Sequence, residues 1–215
     1  MDAGLLAWGR AVKRRSHARL PVLWLFTDAA RLPDPLPAIR ALPRGLCGVV
    51  FRHDNAADRA ALGKRVAALC RVRGLPLVVA GDARLAARLG AGVHLRGGRW
   101  PGAVRRRKLL TASAHNIPQL KRGVREGAVI LFLSPACATE SHPMAKALGP
   151  CRWREMARRA GRKRVYCLGG VTGGNIKHFG RLAAGAGAIT AFTSANQTPP
   201  PEATPARPQP AALFG

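Results

Sequence analysis

Several short stretches of the chain concentrate groups able to bind anions or move protons. The segment Gly169-Gly170-Val171-Thr172-Gly173-Gly174-Asn175 follows an apolar run and precedes an amphipathic one. Glycines at such a junction let backbone N–H groups approach an anion near a helix start. Phe192-Thr193-Ser194 ends the next apolar run after a Gly/Ala-rich approach. Through Gly169, Gly170, Phe192 and Thr193 the two segments form a candidate phosphate cradle; the alternative is that the glycines serve tight turns alone. The polar loop from Ser134 to Pro143 gathers Thr139, Glu140, Ser141 and His142. Hydroxyls, an acid and an imidazole there suit a second anion or proton transfer, or simply a solvated surface. Ser113 and His115 close a further apolar run, so His115 is a candidate acid/base group or a structural histidine. Arg52, Arg96 and Arg99 supply cations that can neutralise a phosphate directly. His94, inside an apolar run, reads as core, and Cys137 lacks the surroundings of a nucleophile beyond His142.

These groups share a placement: each follows a short apolar run. From Leu20 onward the sequence repeats apolar run, turn and amphipathic stretch, the pattern of βα units. The spacing predicts strands at Val22–Phe26, Gly48–Arg52, Pro76–Ala80, Gly92–Leu95, Leu109–Ala112, Ala128–Leu133, Val165–Leu168 and Ala188–Phe192. Helices are expected at Asp58–Arg73, Ile117–Glu126, Trp153–Arg159 and Ile176–Ala184, with Asn116 and Asn175 as N-caps. Prolines weaken the first helix, and Arg99–Lys108 makes a weak fourth. Eight units with nearly continuous apolar strands predict an α/β fold, a compact (β/α)8 TIM barrel over residues 20–195 whose site lies at the strands' carboxyl ends. Residues 1–19 form a basic N-terminal extension, and the Pro-rich stretch 196–215 is expected to be a disordered tail.

Composition narrows the function further. The 215 residues are 47% hydrophobic and 21% charged, which supports a core and excludes a collagen-like or wholly disordered chain. There are 36 Lys plus Arg against 10 Asp plus Glu, a formal charge of +26. The Arg residues are scattered over predicted helices, and aromatic content is 5%. Non-specific, salt-sensitive polyanion binding follows from such charge, with little provision for base stacking. Five Cys without a C-x-x-C pair read as reduced thiols, not a zinc site or disulfide framework. No apolar run approaches the ~20 residues of a membrane helix. The apolar-then-basic order of the first residues reverses that of a secretory signal, so no membrane partner and a cytoplasmic location are expected.

Leu23-Trp24-Leu25-Phe26-Thr27-Asp28, Gly92-Val93-His94-Leu95, Ser113-Ala114-His115, Ser134-Pro135 with Thr139 to Pro143, and Gly169-Gly170-Val171 with Asn175 occur in order. In this the chain resembles thiamine phosphate synthases and the related thiazole tautomerases. The resemblance implies a barrel that couples a hydroxymethylpyrimidine diphosphate to a thiazole phosphate, with Mg²⁺ as cofactor if that activity is retained and otherwise none. It implies that Gly169, Gly170, Phe192 and Thr193 hold the thiazole phosphate, and that Thr139, Ser141 and His142 stand for the family's hydroxyl-rich loop. Arg52 retains the family's second-strand Arg, flanked by Val50 and Asp54. The positions of the expected Mg²⁺ ligands hold Ala80-Gly81 and Arg99, with Asp82 the nearest substitute acid. Reduced or altered synthase activity, tautomerase-type isomerisation through His115, and non-catalytic binding of a phosphorylated ligand are the three expectations.

Overall fold

The computed structural model describes residues 1–54, 56–102, 109–138 and 146–193. Eight parallel strands close into a barrel in sequence order. They are β1 Leu23–Phe26, β2 Cys47–Phe51, β3 Leu77–Ala80, β4 Gly92–Leu95, β5 Leu110–Ala114, β6 Ile130–Leu133, β7 Arg164–Leu168 and β8 Gly185–Ala188. Pairing of Leu23 with Ala186 and of Leu25 with Ala188 joins β8 to β1. The helices are α1 Ala3–Ser16, α2 Leu36–Ala41, α3 Arg59–Arg73, α4 Ala83–Leu89, α5 Ile117–Arg125, α6 Gly149–Arg158 and α7 Thr190–Thr193, with a 3₁₀ segment at Ile176–Leu182. The closed (β/α)8 barrel agrees with the sequence-based expectation. No helix among the described residues is long and apolar enough to cross a membrane.

Alternation along each strand divides the core in two. Trp24, Phe26, Val50, Val78, Ala80, Ile130, Phe132 and Tyr166 fill the barrel interior. The neighbouring strand positions, among them Leu23, Leu25, Val49, Val79, Leu131 and Val165, pack outward against the helices. Inside, Phe132 meets Phe26 edge-on at 4.9 Å and Tyr166 at 5.5 Å between ring centroids. At the amino end of the strands, Trp24 Nε1 and Tyr166 Oη both donate to the Pro21 carbonyl, at 3.1 and 2.8 Å.

The last strand is the main departure from the sequence reading, which placed it at Ala188–Phe192. Gly185-Ala-Gly-Ala has little intrinsic strand preference, yet only small residues fit there. A Cβ on Gly185 would lie 2.3 Å from the Tyr166 ring, and one on Gly187 would lie 2.6 Å from the Phe26 ring. The rings of β7 and β1 fill the volume that side chains of β8 would take.

Helix α1 belongs to the packed barrel surface. Asp2 caps it by accepting from Leu5 N at 2.9 Å, and Leu5, Gly9 and Val12 form its buried stripe. A Cβ on Gly9 would come within 2.7 Å of Leu23 Cδ1, so glycine allows the helix to lie close on β1. Asp2 Oδ2 also accepts from Gly173 N, joining the start of α1 to the loop after β7. The expected helix at Ile176–Ala184 is instead the 3₁₀ segment, with non-helical backbone at Gly180. Of the weak helix expected at Arg99–Lys108, residues 103–108 lie outside the described residues, as does the tail 196–215.

Candidate active site

At the carboxyl ends of the strands is a cavity of about 290 Å³. Phe26, Ala80, His94 and Leu168 line its depth, Ser113, His115 and Ser134 one wall, Gly169 and Gly170 another, and Arg52, Asp54 and Arg96 a third. Strand order places β2 to β4, which carry the arginines, across the barrel from β7, which leads into the glycines.

The cationic wall is held by ion pairs. Arg52 N donates to Thr27 Oγ1 at 2.9 Å, and its Nη2 lies 2.5 Å from Asp28 Oδ2. Arg96 pairs with Asp54. Arg59 reaches Asp54 at 3.4 Å and Asp82 at 3.2 Å, and donates to the Ala80 carbonyl at 2.9 Å. Asp82 also caps α4, accepting from Leu85 N at 2.8 Å. Arg96 is presented by the turn Arg96-Gly97-Gly98-Arg99, closed by Arg99 N donating to the Arg96 carbonyl at 3.0 Å. Gly97 and Gly98 have φ of 54° and 72°, the left-handed geometry of a type I′ turn. The turn is seated on α5, where Arg122 Nε donates to the Gly97 carbonyl and a Cβ on Gly98 would lie 2.5 Å from Gly123 N.

The expectation that His94 is core holds, yet the residue also lines the cavity. It is 2% exposed, with Nδ1 2.9 Å from Thr111 Oγ1 and its ring edge-on to Phe26 at 5.4 Å. Burial, with the charges of Arg96 and Arg52 adding to it, pushes its pKa down to about 3. His94 is therefore a neutral ring at neutral pH. His115 Nδ1 lies 3.1 Å from the Ser134 carbonyl and 3.2 Å from the Ser134 hydroxyl. A carbonyl only accepts, so this contact favours the tautomer with hydrogen on Nδ1 and a basic Nε2.

Around Gly169 and Gly170 the loop is tied on both sides. Ala136 N and Cys137 N donate to the carbonyls of Leu168 and Gly169, and Asn175 Nδ2 donates to that of Gly170. Asn175 thus braces the loop, with its Oδ1 accepting from Thr172 N, and makes no side-chain cap to the 3₁₀ segment as had been expected. Asn116 does cap α5, through Gln119 N.

Of the residues singled out in sequence, Arg52, Ser113, His115, Gly169 and Gly170 converge on the cavity. Phe192 and Thr193 do not line it. With β8 ending at Ala188, they lie in α7; Phe192 is buried in the outer core, its N–H bonded to Ile189, and Ile189 takes the place at the rim. Thr139, Ser141 and His142 lie outside the described residues. Sequence reasoning missed Asp54 as the partner of Arg96, and Ile189, just past the eighth strand, as a lining residue. The Gly-Ala-Gly-Ala run before Ile189 was the available signal. The five cysteines are unpaired, with Cys47, Cys70 and Cys167 buried and Cys151 exposed.

The described residues do not fit Mg²⁺. This ion needs several oxygen ligands, usually including carboxylates. Here Asp54 and Asp82 are engaged by Arg59, Asp54 also by Arg96, and Asp28 by Arg52. No group of three or more His, Cys, Asp or Glu among the described residues is placed to hold a metal.

A closed parallel barrel whose mouth is lined by glycines on one side and arginines on the other defines an α/β-barrel protein with its cavity at the strands' carboxyl ends. The thiamine monophosphate synthase family model matches residues 34–194, and the chain belongs to that family. It is 32% identical over 158 residues to the thiamine-phosphate synthase of Geobacillus kaustophilus, covering 70% of each chain. It is 34% identical over 169 residues to that of Thermus thermophilus, covering 76% of this chain and 81% of the relative. The solved thiamine phosphate pyrophosphorylase from Pyrococcus furiosus shares the fold, with a TM-score of 0.63 at 20% identity over 80% of this chain and 87% of that one.

Proposed function

We propose that the chain works in thiamine biosynthesis as a transferase joining a hydroxymethylpyrimidine diphosphate to a thiazole phosphate, in a cytoplasmic setting. The observation that carries this reading is that Gly169 and Gly170 line the same cavity as Arg52 and Arg96, from the far side of the barrel. One substrate brings a diphosphate and the other a monophosphate, and the two walls provide for an anion at each end. In the reaction the bond from the pyrimidine methylene carbon to the diphosphate oxygen breaks, and the oxygen keeps the electron pair. The thiazole nitrogen then uses its lone pair to form the new carbon–nitrogen bond. Arg52 and Arg96 stabilise the charge that develops on the departing diphosphate, where preorganised cations are most effective. The Gly169-Gly170 corner holds the thiazole phosphate, and Ser113, His115 and Ser134 hydrogen-bond the ring systems between.

Incubation of the full chain with both substrates, followed by mass spectrometry for thiamine phosphate, tests the reading. Product is expected at a rate low for the family and not raised by Mg²⁺; no product under any condition would overturn it. The His115–Ser134 contact supports a second reading, an isomerase in which Nε2 moves a proton on a thiazole ring. A changed thiazole tautomer, with no pyrimidine substrate present, would be its mark.

A further inference from the structure

A side chain at position 81 and the head group of Arg96 compete for one volume. A Cβ on Gly81 would lie 2.8 Å from Arg96 Nε and 3.1 Å from its Cζ. Position 81 directly follows Ala80, whose side chain lines the cavity, and Gly81 N donates to the His94 carbonyl at 3.0 Å. The guanidinium is therefore built into the site where the family resemblance expects a metal-binding carboxylate. It is held from two directions: its backbone by the Gly97-Gly98 turn seated on α5, its head group by Asp54. Because Arg59 also reaches Asp54, at 3.4 Å, that carboxylate keeps a partner when Arg96 turns to another anion.

We propose that this mouth takes the diphosphate end of its ligand on Arg96 and Arg52 directly, with the guanidiniums in the place of a divalent cation. The inference rests on the mouth being the phosphorylated-substrate site described above. Guanidinium forks bind phosphoryl oxygens in pairs and carry their charge at every working pH. A metal ion at position 81 would be repelled by the charge already there. Arg96 is about half exposed, its side chain 52% accessible, so an anion entering the cavity reaches it without rearrangement of the fold.

Calorimetric titration of the full chain with inorganic pyrophosphate, in EDTA and in excess Mg²⁺ at near-physiological salt, tests this. Saturable binding is expected in EDTA, with no gain from Mg²⁺. Arg96→Gln and Gly81→Asp should each weaken it by about tenfold or more, the first by removing the cation and the second by entering its space. Arg65→Gln, the same loss of charge on the exposed face of α3, should leave it unchanged. Binding only with Mg²⁺ would overturn the proposal. So would equal weakening by Arg96→Gln and Arg65→Gln, the sign of scattered surface charge. If pyrophosphate binds as expected and no thiamine phosphate forms, the anion site stands and the coupling reaction falls. If thiamine phosphate forms only with Mg²⁺, the coupling stands and the metal-free site falls.

Discussion

Asp28 and Arg52 meet just beyond the ends of β1 and β2, with Arg52 Nη2 2.5 Å from Asp28 Oδ2. Burial raises the Asp28 carboxyl, but the Arg31 N–H bond and the charges of Arg52 and Arg31 outweigh it and hold the pKa below the usual value. A carboxyl lowered on folding contributes stability above its unfolded pKa of about 3.9, and that contribution is lost as pH falls through the folded value. Asp28→Asn should therefore flatten the acid limb of the stability curve below about pH 4. It should also tighten pyrophosphate binding at neutral pH by releasing Arg52. Urea midpoints across the acid range and one titration check both.

His94 gives a dependence in a different window. Its pKa is pushed down to about 3 in the fold, first by burial and then by Arg96 and Arg52, against about 6.5 in an unfolded chain. Between those values the unfolded state binds a proton that the folded state does not. This contribution is complete above about pH 6.5 and declines as pH falls toward the folded value. His94→Gln should flatten the decline. The His94 ring resonances should show no titration above about pH 5, and bound pyrophosphate should raise the pKa by offsetting both arginines.

Gly170 has φ of 63°, and a Cβ there would lie 2.0 Å from the Ala138 carbonyl oxygen. Gly170→Ala should lower stability by about 1–3 kcal/mol, the range for strained backbone. It should also abolish the rise in melting temperature caused by thiazole phosphate, a rise that preferential binding to the folded state would produce. Thermal unfolding with and without that ligand measures both effects.

With a formal charge of +26, the chain should bind nucleic acid without sequence preference, and the affinity should fall steeply as salt increases. Fluorescence anisotropy with unrelated oligonucleotides at several salt concentrations is the check. Tight, sequence-selective binding at physiological salt would contradict it.

The barrel was readable because most strands carry short apolar runs that suit a sheet covered on both faces, as Val49-Val50-Phe51 and Leu131-Phe132-Leu133 do. The eighth was misplaced because its fit depends on Tyr166 and Phe26, rings that are remote in sequence from Gly185 or brought beside Gly187 only by closure. That shift put the expected rim residues at Phe192 and Thr193, whereas Ile189 lines the cavity. Arg52, His115 and Gly170 line the cavity as the sequence pattern places them, because Arg52 and His115 directly follow strands and Gly170 lies two residues past β7. The pairing of Arg96 with Asp54 could not, since it depends on how two loops fold over the mouth.

Asp2 and Gly173 stand 171 positions apart, and α1 docks on β8 and the 3₁₀ segment. During synthesis α1 therefore has only β1 to rest on, through Gly9 and Leu23, until nearly all of the barrel has been made. Leu5 and Val12, buried in the finished fold, remain exposed to water or to chaperones through that interval. Until β8 arrives, the growing sheet is open, with free hydrogen-bonding edges that invite association between nascent chains. Closing the ring and seating α1 depend on the same late segment, a long-range step of the kind that slows folding.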